Sequence, residues 1–304
     1  MDMSIRYNIA KCVLRMTGMR KLFSLPKEEL FQKAAGYNKN RNFHIPKDHK
    51  YTYTDVNLGN NEHVLKIQGK CTENGKAMMF LFGGGMVIGP DDGDIRTAAK
   101  LAVPCGYDVW FPWYPLCPEH NMEDAADMIL RVYGKMLDEY SAEHICFCGF
   151  SSGATLAITT CLHNLRQEKP CENPAMILAC SPGAVPHCDE EWKEMDRLGE
   201  KDIMINPAFM KVMKDVMPGG RKMAEYLHYP SAADYTGMPT IHFWWGSNEV
   251  LYAEAPYFIQ GCEKAGVPHT VEIGEGMCHC YPMVDFFPEG KKAQENMKNY
   301  LMEL

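Results

Sequence analysis

Ile145-Cys146-Phe147-Cys148-Gly149-Phe150-Ser151-Ser152-Gly153-Ala154-Thr155-Leu156-Ala157-Ile158 is the stretch that decides the fold. Its first four residues are apolar without alternation, as expected for a strand covered on both faces. Its last five open a helix of small and apolar residues. Between them lies Gly149-x-Ser151-x-Gly153, which places a serine on a strand-to-helix turn. Flanking glycines allow a turn tight enough to hold that serine strained and exposed, and the helix start aims backbone N–H groups at developing negative charge.

Short apolar strands alternate with amphipathic helices on either side of this turn. The strand candidates are Met78–Phe82, Asp108–Trp113, Ile145–Phe150, Ala175–Cys180, Thr240–Trp245 and Thr270–Ile273. Between the second and third, Met122, Ala125, Ala126, Ile129, Leu130, Tyr133 and Leu137 recur at helical spacing. Ala293, Met297, Tyr300, Leu301 and Leu304 mark a terminal helix. Such alternation needs crossover connections, so an α/β protein with a mainly parallel sheet is expected. Two regions break the rhythm. Residues 1–45 read as two helices, around Ile5–Met16 and Lys27–Ala35, and residues 186–228 read as Met-rich, charged helical segments. We expect both to form a helical cap over a core of residues 46–185 and 229–304.

The 304 residues carry 31 Lys and Arg against 39 Asp and Glu, a formal charge of −8. That balance argues against nucleic acid or an anionic membrane as the main partner. The longest apolar stretch, Ala77–Gly89, is too short to span a bilayer and is broken by three glycines. Arg6, Lys11 and Arg15 interrupt any leader-like segment, so a soluble cytoplasmic protein is expected. The 13 cysteines are scattered and lie mostly in apolar stretches, the usage of a reducing compartment. Cys278-His279-Cys280 is the tightest Cys/His cluster. On extended backbone its neighbouring side chains would point to opposite sides, so no metal site is expected there.

The second chemical signal is Phe80-Leu81-Phe82-Gly83-Gly84-Gly85-Met86-Val87. A triple glycine directly after a buried strand leaves backbone donors uncovered, as an oxyanion hole for acyl transfer requires. The glycine spacing of a dinucleotide site and the Gly-Lys-Ser/Thr of a phosphate loop are both missing.

Together with Trp113-Tyr114-Pro115-Leu116-Cys117-Pro118-Glu119-His120, these two signals resemble the hormone-sensitive-lipase-type esterases of the α/β-hydrolase superfamily. Gly246-Ser247-Asn248-Glu249-Val250-Leu251 resembles that family's acid loop, and Gly276-Met277-Cys278-His279-Cys280-Tyr281 its histidine loop. Five motifs stand in the right order from about residue 55 onward. The resemblance implies an α/β-hydrolase fold with Ser151 as nucleophile, His279 as general base and Glu249 as the orienting acid. It further implies an oxyanion hole of Gly84, Gly85 and Ser152, with the helical cap roofing the acyl pocket. No metal or organic cofactor is implied, the partner is a small-molecule ester, and a homodimer is permitted.

Three positions depart from the family pattern: Phe82 stands for the usual histidine, Phe150 for an acidic residue and Glu249 for aspartate. Phe82, Met86 and Phe150 are expected to crowd the nucleophile, bind substrate and favour short- to medium-chain acyl groups. Among other carboxylates, Asp234 precedes a strand, Glu254 lies a turn into a helix, Glu272 lies within a strand, and Glu275 is too close to His279 in sequence. Asp285 follows the histidine, leaving Glu249 just past a strand's C-terminal end. His120 is structural in the family. Asp91, Asp92 and Asp94 are expected to cap a helix beginning near Ile95. Trp244 and Trp245 read as core. Met204, Met210, Met213, Met217 and Met223 read as cap packing that also suits an adaptable pocket. An amidase, formamidase or peptidase would use the same triad. A non-catalytic receptor, like the plant gibberellin receptors that share this fold, would have lost the histidine that is present here.

Overall fold

The computed structural model describes residues 3–70 and 75–304. The N-terminal segment supplies α1 (Ile5–Met16), α2 (Met19–Leu22) and α3 (Lys27–Asn38) before any strand. Then follow β1 (Thr52–Asn57), β2 (His63–Gln68), β3 (Lys76–Leu81), α4 (Asp92–Ala102), β4 (Tyr107–Pro112) and α5 (Met122–Leu137). The elbow joins β5 (Ile145–Phe150) to α6 (Ser152–Asn164), and β6 (Met176–Cys180) comes next. A second helical stretch holds α7 (Asp189–Gly199), α8 (Pro207–Val216) and α9 (Glu225–His228). The chain ends with β7 (Thr240–Gly246), α10 (Ala255–Ala265), β8 (His269–Gly274) and α11 (Pro288–Glu303).

The strands form one sheet in the order β1-β2-β4-β3-β5-β6-β7-β8, an α/β-hydrolase fold flanked by helices. Only β2 runs antiparallel to its neighbours β1 and β4; every other pairing is parallel. Every residue of β4, β5 and β6 is buried, which matches their unbroken apolar runs. The apolar-run reading passes over β1 and β2. Thr52-Tyr53-Thr54-Asp55-Val56-Asn57 is largely polar, with Thr52, Thr54 and Asn57 exposed and no residue buried, as an edge strand allows. Among the described residues no helix is long and apolar enough to cross a membrane.

Helix positions follow capping chemistry. Helix α4 starts at Asp92, three residues before the expected Ile95, because Asp91 is its N-cap and Asp94 reciprocates as a capping box. Asn121 and Asp124 repeat that device on α5. Trp244 and Trp245 are buried as expected.

The parallel register brings the C-terminal ends of β3, β5, β6, β7 and β8 to one edge of the sheet. The tightest point there is Gly153. A Cβ on it would lie 2.1 Å from the Leu81 carbonyl oxygen and 2.4 Å from that of Phe82. Gly149 is equally constrained, since its Cβ would lie 2.3 Å from the Gly153 oxygen. Both obstacles are backbone and cannot rotate away. Gly153→Ala is therefore expected to cost at least about 3 kcal/mol, or to prevent folding, as read by urea denaturation.

Candidate active site

Ser151 follows the last residue of β5 with φ 55 and ψ −127, a conformation that L-residues rarely adopt. Its N–H donates to the Cys180 carbonyl at 2.9 Å, and its own carbonyl accepts from Ala154 and Thr155 in the first turn of α6. The strain is thus held from both sides, and it lifts the hydroxyl off the sheet edge. His279 follows β8, and its Nε2 lies 2.8 Å from Ser151 Oγ. Its Nδ1 lies 2.5 Å from Glu249 Oε2. The three side chains that the sequence singled out, from three different loops, therefore form one hydrogen-bonded line.

Glu249 is fully buried, and its other oxygen is also satisfied. Oε1 accepts from the Gly246 N–H at 2.9 Å and from Ser181 Oγ at 2.9 Å. Burial alone would lower the His279 pKa, but the charges of Cys280 and Glu249 outweigh it and hold the imidazole well above its ordinary value. Glu254 takes no part in this line. It is fully buried, accepts from the Ala184 N–H at 2.9 Å, and burial pushes its carboxyl well up.

The glycine loop runs directly against the nucleophile, because a Cβ on Gly83 would lie 3.3 Å from the Ser151 Cβ. Gly84, Gly85 and Ser152 border the same cavity as Ser151 and His279. As the first residue of α6, Ser152 has a backbone N–H without an intrahelical acceptor. The N-terminal segment pins the chain just beyond the glycines. Asn38 donates to the Val87 carbonyl and accepts from the Gly89 N–H, both at 2.9 Å, and Arg41 donates to the Gly89 carbonyl at 2.7 Å.

Phe82 differs from expectation. It does not border the cavity but stacks on Tyr114, with ring centroids 4.0 Å apart, while Tyr114 Oη donates to its carbonyl at 2.5 Å. Its ring also packs against Phe111, so it braces the glycine loop from the side away from the cavity. Met86 and Phe150 do border the cavity.

That cavity has a volume of about 230 Å³ and is walled mainly by apolar side chains. Met204, Met210, Met213 and Met217 from the α7–α9 region face into it, whereas Met223 does not. Phe209 of α8 lies over the loop so closely that a Cβ on Gly85 would be 2.5 Å from its ring, and Phe23 packs on it at 4.4 Å. Among the described residues, Asp94 is the one carboxylate bordering the cavity; burial pushes it up to about 6 against the hydrogen bond from the Asp91 N–H.

Several site residues carry no sequence signal. Ser181 donates to Glu249 and accepts from the Cys280 N–H at 3.0 Å, so one hydroxyl orders both the acid and the histidine loop. Asp202, buried between α7 and α8, accepts from Met204, Ile205 and Val250 N–H groups at 2.7–2.9 Å. Arg20 of α2 donates to the carbonyls of Gly199, Asp202 and Ile205. Both helical regions are thereby tied to the residue after Glu249. Only the isolated acid of Lys201-Asp202-Ile203 hints at this from sequence.

Among the described residues, the group whose ligand atoms could hold a metal is His187, Cys188 and Glu191. There Glu191 already accepts from the His187 backbone N–H at 2.5 Å and faces its Nδ1 at 2.9 Å, a satisfied helix start for α7.

A family model described as alpha/beta hydrolase fold matches residues 78–283. An acetyl-hydrolase of Streptomyces hygroscopicus is 26% identical over 249 residues, covering 79% of this chain and 82% of that protein. The crystal structure of EstE5 soaked with p-nitrophenyl butyrate superposes with a TM-score of 0.82 at 22% identity, over 99% of this chain and 98% of that one. An esterase from the bacterial hormone-sensitive lipase family superposes with a TM-score of 0.78 at 20% identity, over 100% and 99%.

The charge of Glu249 makes a pH-dependent prediction. It stabilises imidazolium, so neutral Gln at this position lowers the His279 pKa. Glu249→Gln should move the acid limb of the kcat/KM profile to lower pH while reducing kcat by about 10²–10⁴-fold. An unmoved limb would mean that another group sets the histidine's basicity.

Proposed function

Because the chain belongs to a family with the alpha/beta hydrolase fold and its motifs resemble those of hormone-sensitive-lipase-type esterases, we propose that it hydrolyses short- to medium-chain acyl esters through a Ser151–His279–Glu249 triad and an acyl-enzyme. An acetyl-hydrolase and an esterase among the relatives, each 26% identical, support ester hydrolysis as the reaction. The observation that carries the finer reading is the unbroken line from Ser151 Oγ through His279 to Glu249 at the floor of an apolar cavity. In it, Ser151 attacks the ester carbonyl as His279 Nε2 takes its proton. Glu249 fixes the imidazole tautomer and stabilises the cation that forms. The N–H groups of Gly84, Gly85 and Ser152 receive the oxyanion. His279 then protonates the leaving alcohol, and water repeats the sequence to release the acid. Residues 1–45 and 186–228 form the cap over the acyl group.

Ser151→Ala should abolish hydrolysis of p-nitrophenyl esters with the folded state intact, because triad members act as a unit. Ser152→Ala should stay active, since its oxyanion contribution is a backbone donor. Swapped results would place the nucleophile one residue later. Comparable turnover of aryl amides by the wild type would instead favour the amidase reading.

Cavity size sets the acyl preference. A volume of about 230 Å³ bordered by Phe209 and Met86 suits an acyl group of about two to eight carbons. Butyrate esters should therefore turn over faster than palmitate esters, and the reverse order would reject this pocket assignment.

A further inference from the structure

Cys280 sits directly after His279 with left-handed backbone, φ 52 and ψ 35. On extended backbone the two side chains would diverge, but this turn brings them together. Cys280 Sγ lies 3.4 Å from His279 Nε2, the same nitrogen that lies 2.8 Å from Ser151 Oγ. The Ser181 hydroxyl holds the turn by accepting from the Cys280 N–H at 3.0 Å. Cys280 also borders the substrate cavity, whereas Cys146, Cys148 and Cys161 are buried away from it. One imidazole thus serves a hydroxyl and a thiol that open onto the same space.

We propose that Cys280 is a second nucleophile of this cavity, a covalent modification site for small apolar electrophiles bearing an activated alkene, such as α,β-unsaturated carbonyl compounds. This rests on reading His279 as the base of the site. In the reaction the thiol proton passes to His279 Nε2 as sulfur bonds to the β-carbon. The alkene electron pair moves onto the carbonyl as an enolate, and His279 returns the proton to the α-carbon. The product is a thioether that keeps every atom of both reactants, and no oxidant or reductant takes part. The methionine and phenylalanine walls favour apolar electrophiles, and the adduct occupies the space an acyl group needs, so modification stops ester turnover.

The electrostatics agree with the geometry. Burial alone would raise this thiol, but the neighbouring Cys180 thiol and the His279 charge outweigh it and hold it below its ordinary value. Burial without such partners pushes Cys146, Cys148 and Cys161 up instead.

N-ethylmaleimide, an activated alkene, tests this on the intact protein. Peptide mass spectrometry follows each cysteine while p-nitrophenyl butyrate hydrolysis is assayed in parallel. Cys280 should react at least about 10-fold faster than Cys146, Cys148 and Cys161, and activity should fall at the rate of Cys280 labelling rather than that of exposed Cys12. In Ser151→Ala, Cys280 should label at least as fast, because the hydroxyl no longer shares Nε2. In His279→Gln it should slow to the rate of the other buried cysteines. Activity loss without Cys280 labelling, or labelling indifferent to His279→Gln, overturns the proposal. Should that variant fail to fold, the wild-type rate ratio decides alone. Full ester turnover by Ser151→Ala would instead overturn the triad reading, which separates the two failures.

Discussion

Gly153 lies under the carbonyl oxygens of Leu81 and Phe82 with no room for a methyl group, and the geometry of the site descends from that contact. It draws the start of α6 against the end of β3, so the serine turn and the glycine loop must be neighbours. The donors expected to receive an oxyanion come from both sides of the contact: Ser152 from the helix, Gly84 and Gly85 from the loop. Phe82 and Tyr114 stack behind it and keep the loop from retreating. A phenylalanine stands where the family has a histidine, and the brace is made by aromatic stacking and a hydrogen bond to a main-chain carbonyl.

The acid and the base are ordered by a separate network. Glu249 is buried without Lys or Arg contact among the described residues, and it is satisfied instead by the Gly246 N–H, Ser181 and His279. Such a buried carboxylate is costly unless each oxygen is paired, and here both are. Asp202 extends the order outward by accepting from Val250, the next residue along the chain. Arg20 then joins α2 to the same segment. The helical regions over the cavity are therefore fastened to the acid loop, so displacing them would disturb Glu249 as well as the cavity wall.

Legibility followed chemistry. Buried parallel strands such as β4, β5 and β6 announce themselves because both faces need apolar residues. The polar alternation of β1 and the four-residue α2 gave no such signal. Ser151, His279 and Glu249 could be named because their motifs resemble those of a known esterase family, and each falls past a strand's C-terminal end, where the parallel register gathers loops. Phe82 was misplaced because nearness in sequence to the glycines does not fix the side of the strand it faces. Ser181, Asp202 and Cys280 were hidden for a related reason. Their roles come from side-chain and backbone contacts across 68, 48 and 99 residues, which no local pattern encodes. The pairing of Cys280 with His279 depended further on a left-handed turn that a non-glycine residue rarely takes.

In the proposed mechanism, the hydroxyl of Ser151 carries the acyl group between two half-reactions. Rapid mixing with a p-nitrophenyl ester, acid quenching and peptide mass spectrometry measure this directly. A burst of p-nitrophenol matched by an acyl adduct on the Ser151 peptide is expected. Burst release with the acyl group on Cys280 or any other residue, and none on Ser151, would contradict it.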